Sequence, residues 1–201
     1  MKVRLVGIGL VLSGAAILVA CGTEGESVEE TSTLVASSAV PSKLAEPELG
    51  SGQPPIPFDP CLDIDPAVLR DAGLDPATLE RKDLVGDVTS SIGCSVDGDE
   101  LAASIFARNG TYDEELADDR QLRRPDRPSI TETSINGRDA FYGLSRTGDS
   151  TCPVVMRTGF GHVYIDGLLL NDRTTDGQVL DLCTETVRIA TAIEPSLPGG
   201  N

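Results

Sequence analysis

Three groups of side chains in this sequence have types and spacings that could do chemistry: the cysteines, a lone histidine among acids, and a knot of arginines. Cys21 closes Leu18-Val19-Ala20-Cys21, the order of a bacterial lipobox, in which the cysteine is lipidated before the segment ahead of it is cleaved. That segment begins with Met1-Lys2-Val3-Arg4 and continues as an apolar run from Leu5 to Val19, the form of a secretory signal. The competing reading is a retained transmembrane anchor, but about 15 apolar residues fall short of the roughly 20 that a bilayer requires. A diacylglyceryl group on Cys21 makes a durable anchor, because two acyl chains hold stably where one binds only marginally, at about 0.8 kcal/mol per buried CH₂.

Cys61, Cys94, Cys152 and Cys183 are an even set in a chain read as exported, a compartment that permits disulfides. Of the three possible pairings, Cys61 with Cys94 and Cys152 with Cys183 is preferred, since each closes a local loop of just over thirty residues. Each bridge would stabilise by roughly 3.5–4 kcal/mol through lost loop entropy. Zinc is disfavoured, because there is no C-x-x-C pair and one histidine. That histidine, His162, falls on one strand face with Tyr164 and Asp166, where a carboxylate could orient it as a general base. No Gly-x-Ser-x-Gly or Ser-x-x-Lys pattern supplies a nucleophile, and Gly143-Leu144-Ser145-Arg146-Thr147 only approaches the first. The acid groups Asp63 with Asp65, Asp97 with Asp99 and Glu100, and Asp118 with Asp119 carry oxygen ligands for calcium, yet none has calcium-loop spacing; capping, a turn and a solvated helix face explain them. No metal or other cofactor is expected. Arg123, Arg124 and Arg127 form the concentrated positive patch of an acidic chain, a possible grip for an anionic polymer, headgroup or acidic partner, or else an exposed loop.

Loss of residues 1–20 removes Lys2 and Arg4 and no acids, taking the net charge from −16 to −18. Nucleic acid is thereby disfavoured as a partner, and cationic molecules would be attracted within about a Debye length, ~8 Å in physiological salt; the preferred account of the acidity is nevertheless a general solubility role. Residues 22–57 hold six Glu, five Pro and no aromatic residue, so they read as a disordered acidic tether with an average reach of roughly 30–36 Å. The expected organisation is a signal peptide over 1–20, lipidated Cys21 and tether over 21–57, one domain over 58–194 and a disordered tail over 195–201.

The elements that must position these residues suggest an α+β domain. Asp65-Pro66 through Gly73 has a capping Asp, a first-turn Pro and a stopping Gly, and Asp75-Pro76-Ala77 repeats the start. Three hairpins are expected: residues 91–96 and 99–107 about Asp97-Gly98, 130–135 and 138–145 about Asn136-Gly137, and 154–157 and 162–169 about Gly159-Phe160-Gly161. Thr111 and Glu114 make a capping box for a polar helix reaching about Leu122. Val179, Leu182, Cys183, Thr186, Val187, Ala190 and Ile193 form one apolar face of a terminal helix. The sum is an antiparallel sheet of about six strands, packed by a C-terminal helix and short N-terminal helices and stapled by two disulfides.

The lipobox, the Ser/Pro-rich tether, Phe58-Asp59-Pro60-Cys61, and Ala72-Gly73-Leu74-Asp75-Pro76 ahead of Cys94-Ser95-Val96 resemble the actinobacterial lipoproteins of the LprB and LprC type. Their shared domain has no assigned function. The resemblance implies a cell-envelope lipoprotein with a palmitate-type anchor on the outer face of the cytoplasmic membrane, and brings no catalytic residues. Two readings of activity stay open: a non-catalytic binding or accessory module for an envelope protein, peptide or lipid, and a cell-wall or lipid ester hydrolase using His162.

Overall fold

The computed structural model describes residue 49 and residues 52–146, 148–171 and 179–199. The expected signal peptide, Cys21 and most of the expected tether lie outside the described residues. Short helices α1 (Pro60–Asp63) and α2 (Pro66–Asp71) come first, followed by a 3-10 turn (Pro76–Thr78) and the two-residue strands β1 (Glu80–Arg81) and β2 (Leu84–Val85). The long hairpin β3 (Ser90–Asp97) and β4 (Leu101–Arg108) leads to α3 (Tyr112–Leu122). Then come β5 (Thr131–Ile135), β6 (Arg138–Tyr142), β7 (Thr151–Thr158), β8 (Gly161–Leu169) and α4 (Leu182–Ile193). The α+β class holds: among the described residues eight strands form one sheet of order β1-β3-β4-β8-β7-β6-β5 with β2 also on β3, and all their pairings are antiparallel.

Strand order dictates where the helices go. β5 to β8 form a meander that folds back to set β8 against β4, so the chain leaving β4 must cross the sheet to reach its far edge. α3 is part of that crossing and lays Tyr112 and Leu116 on Phe141, Val155 and Tyr164. α4 returns over the opposite face.

Directly paired residues point to one side of a sheet, so the register assigns the faces. One face holds the rows Ile92–Ala107–Val163–Met156–Ala140, Cys94–Ile105–Ile165–Val154–Tyr142 and Val96–Ala103–Gly167–Cys152, all but Tyr142 and Gly167 buried aliphatic, Met or Cys side chains of the main core. Helix α4 closes it with Leu182, Ile189, Ala190 and Ile193. Mid-strand Gly167 permits the close approach, since a Cβ there would collide with Thr186 Oγ1. Cys152 beside Gly167 is bonded to Cys183 of α4, with Cα atoms 5.2 Å apart.

Several local expectations hold. Asp65 accepts from Ala67 N at 2.7 Å, Pro66 takes the first turn and Gly73 ends it at φ +77°; Asp75 caps the next turn in the same way. Thr111 and Glu114 bond reciprocally at the start of α3. Asn136 (φ +50°) and Gly137 (φ +93°) make the two-residue hairpin turn, whose left-handed backbone suits these residues.

Others are corrected. Cys61 and Cys94 meet as a near pair of free thiols, so among the described residues there is one disulfide where two were expected. The Cys61 thiol donates to Gly93 O at 3.0 Å, and contact with it, together with burial, pushes the Cys94 thiol far up. Asp97-Gly98 does not make the first turn: Asp97 pairs with Ala102 and the chain reverses over residues 98–101. Gly98 instead bridges Leu74, where any Cβ would strike Gly73 O. Val179 is 70% exposed and precedes α4, because Asp181 caps that helix by accepting from Thr184 N. Packed structure also passes both ends of the expected domain. Ile56 is buried and Gln53 is hydrogen-bonded, so packed structure begins before the expected boundary at Pro57. At the other end Leu197 is buried, and the carbonyl of Gly199 accepts from Arg138 at 2.5 Å, because a guanidinium only 4% exposed must find acceptors.

Candidate functional site

The second face of the sheet holds the rows Ser91–Arg108–His162–Arg157, Gly93–Phe106–Tyr164–Val155–Phe141 and Ser95–Ser104–Asp166–Pro153. α3 covers only its middle. Beyond the start of α3, a cleft of about 740 Å³ opens above Ser91, Arg108 and His162, a size within the ~300–1,000 Å³ of ordinary ligand sites. Its two sides differ in chemistry. One is the segment around β2, with Leu84, Val85 and Val88 all more than half exposed. The other is the first turns of α3, carrying Glu114, Glu115 and Asp118.

Both margins of this floor are fixed by small or polar residues. Gly161 (φ +151°) lets β8 begin against the end of β4, since a Cβ would collide with the carbonyls of Arg108 and Gly110. His162, the next residue, thereby comes under Gly110 O. On the other margin, buried Asn109 accepts from Ser90 N at 2.8 Å and donates to Gln53 Oε1 and Pro54 O. The chain just before the domain thus pins the β3–β4 end of the cleft.

His162 is 2% exposed. Its Nδ1 lies 2.8 Å from Gly110 O; a carbonyl only accepts, so Nδ1 carries the proton and donates. Burial is the main cause that lowers its pKa to about 4, with the Arg108 charge acting in the same direction and the Gly110 bond opposing. The imidazole is therefore neutral at physiological pH, and Nε2 is a bare acceptor, buried without a hydrogen-bond partner. On the paired strand, Arg108 Nε is a buried donor, also without a partner. The Arg108 guanidinium stacks over the Tyr164 ring at 4.5 Å, and Nη1 lies 3.8 Å from Glu115.

His162, Tyr164 and Asp166 do share a face, as period two requires. Asp166 is nevertheless not the group that orients the imidazole; the Gly110 carbonyl is. Two residues along a strand lie about 7 Å apart, and Asp166 sits four residues from His162, where burial raises its pKa and the Thr151 hydroxyl opposes that shift.

The arginine cluster is dispersed by its own acids. Arg123 holds Asp119 at 2.6 Å, each less than a tenth exposed, and donates to Pro128 O and Leu144 O, so it ties the end of α3 to the β6–β7 connection. Arg124 pairs with Asp126 on the surface, and Arg127 pairs with Asp149. The same pairing removes Asp119 from any calcium set. Among the described residues no group of three or more His, Cys, Asp or Glu side chains converges on a common point, and no helix is long and apolar enough to cross a membrane.

Arg108, Ser91 and the hydrophobic margin were missed by sequence reasoning. Arg108 lay just past the strand expected over 99–107; pairing with His162 across 54 residues is what gives it a place. No curated protein and no solved structure matches the chain. A family model described as "Protein of unknown function (DUF3558)" matches residues 16–196, which take in the whole sheet, α4 and the cleft, and the chain belongs to that family.

Proposed function

We propose that this chain is an exported lipoprotein of the actinobacterial LprB/LprC type, held by lipid on Cys21 at the outer face of the cytoplasmic membrane. Its domain acts as a non-catalytic binding module and takes its ligand in the cleft above Ser91, Arg108 and His162. The observation that carries the binding reading is the state of His162: a neutral, buried imidazole whose Nε2 faces no hydroxyl of the protein. A hydrolase would need a serine or threonine Oγ at that nitrogen to surrender its proton. Ser91, on the same row, has Arg108 between it and the histidine. The address rests on the sequence alone: the charged start, the apolar run and the lipobox before Cys21.

Two measurements test the halves separately. Mass spectrometry of the membrane fraction should find a diacylglyceryl group on the N-terminal cysteine, and Cys21→Ala should release the protein or leave its signal uncleaved; an unmodified Cys21 overturns the address. Turnover of aryl esters should be equal for native protein and His162→Gln, and activity that vanishes with the histidine would replace the binding module by the hydrolase.

A further inference from the structure

The walls of the cleft, rather than its buried floor, carry the chemistry that a ligand can reach. On one side Leu84, Val85 and Val88 are 58%, 54% and 82% exposed. On the other, Glu114 and Asp118 are both exposed and lie four residues apart on α3. Four carboxylates line the cleft, but two are already matched by cations: Asp83 by Arg81 at 2.8 Å, and Glu115 by Arg108 at 3.8 Å. Glu114 accepts from the neutral hydroxyl and amide of Thr111 and so keeps its full charge. Arg146 reaches the backbone carbonyl of Asp118 and leaves its carboxylate without an ion pair. Two like charges at this helical spacing repel each other, and a cation between them relieves that repulsion.

Charge and apolar surface together select the occupant. An anionic polymer or headgroup is repelled by the acidic wall. The chain's own tether carries six Glu and one Lys over residues 22–48, and a second copy brings a net charge of −16, so both have the wrong sign. A small polyamine answers the acids and leaves the aliphatic wall in water. An extended peptide answers both walls, because its successive side chains point to opposite sides. We infer that the cleft docks an extended segment of a partner protein in which basic and aliphatic side chains alternate, the basic ones toward Glu114 and Asp118 and the aliphatic ones toward Leu84 and Val88. This rests on the cleft being the ligand site. His162, buried beneath that segment, is its reporter and not its ligand.

The chain has one histidine, so its imidazole gives one isolated NMR signal from the floor of the cleft. The full lipidated protein in nonionic detergent, labelled at histidine nitrogen, is titrated with short fluorescent peptides that alternate lysine with valine, lysine with serine, or glutamate with valine, and by competition with spermine. Anisotropy gives each affinity. The lysine–valine peptide should bind saturably, move the His162 signal, and hold about tenfold or more tighter than the other probes. Asp118→Lys, an exposed change that places a favourable partner four residues after Glu114, should keep the fold and weaken this binding by about tenfold. Val88→Ser, equally exposed, should weaken it by about threefold. Equal affinity for the lysine–serine peptide or for spermine overturns the amphipathic segment, and preference for the glutamate–valine peptide overturns the basic one; a moved His162 signal in these cases leaves the cleft as the ligand site. Lysine–valine binding that neither variant weakens and that leaves His162 unmoved lies elsewhere and overturns the site as well. Silence with every probe overturns the basic segment as the occupant.

Discussion

The two faces of this sheet are built from the same strands and obey opposite rules. Toward α4, the rows through Val163, Ile165 and Gly167 are buried and nearly all aliphatic, closed by a helix that approaches closely and is bonded by Cys152–Cys183. Toward α3, the rows through His162, Tyr164 and Asp166 carry charge and aromatic rings, and hold three of the four orphaned buried polar atoms among the described residues, at Arg108, His162 and Asp166; the fourth, Thr158 Oγ1, lies at the end of β7 in the register of the closed face. Orphaned buried atoms cost stability, and an apolar substitute is available at each position in principle. One face therefore makes the fold, and the other retains groups that folding alone would not select.

The sharpest way to break this comparison is to cut the closed face and watch the open one. Cys152→Ala with Cys183→Ala should cost about 4 kcal/mol in urea denaturation, from the loop that the bridge closes. The His162 NMR signal should stay where it is, because the disulfide lies on the opposite face. A displaced signal would show that the two faces are not independent.

The next effect belongs to the open face. In the unfolded chain His162 takes its proton near 6.5, whereas in the fold it does so only at about 4. Between these values the unfolded state binds more protons, so stability rises with pH; the contribution is complete above 6.5 and is lost as pH falls toward 4. The shift corresponds to about 3 kcal/mol. Since carboxylates also titrate there, the measurement is the difference between native protein and His162→Gln across that range. A difference that does not change with pH would mean that the imidazole is solvated.

How far the sequence reveals each face follows from the range of the forces involved. Caps and turns act within four residues, so Asp65, Thr111 with Glu114, and Asn136-Gly137 could be read from local chemistry. Gly98 looked like a turn residue and was not, since its reason for being glycine is Gly73, 25 positions away. Alternation along β8 placed His162 with Tyr164 and Asp166, but the residues that complete the floor come from β3 and β4, and no periodicity in one strand encodes the register of another. Acidic Asp119 and basic Arg123 looked like separate candidates until their spacing of four along and just past α3 brought them together. The early start of packed structure escaped for a related reason: Gln53 and Ile56 sit in a Pro-rich stretch whose composition resembles a tether, and the partner Asn109 that holds Gln53 is 56 residues on.

A smaller effect separates the wall of the cleft from its floor. Thr111→Ala should cost about 1 kcal/mol by removing the cap of α3. With the hydroxyl gone, the Glu114 carboxyl, now held below the usual range mainly by Thr111, should titrate closer to its ordinary value. The His162 signal should not move, because Gly110 O and not the helix start orients that ring.

The smallest expected effect distinguishes two neighbours in sequence. Arg123 is buried against Asp119 and two carbonyls, whereas Arg124 and Asp126 are each more than 60% exposed. An exposed pair gains little Coulomb energy in water and loses side-chain freedom to hold its geometry. Arg124→Ala should therefore change stability by no more than about 0.5 kcal/mol. It should also leave binding of any ligand in the cleft unchanged, since Arg124 does not line the cleft. Arg123→Ala, by contrast, strands Asp119 in a buried place and frees the end of α3 from the β6–β7 connection, so it should lower stability well beyond that limit. If Arg124→Ala instead reduced binding in proportion to its lost charge, and high salt did the same to native protein, the arginine turn would be a contact surface in its own right, and the open face of the sheet would have to share the ligand with it.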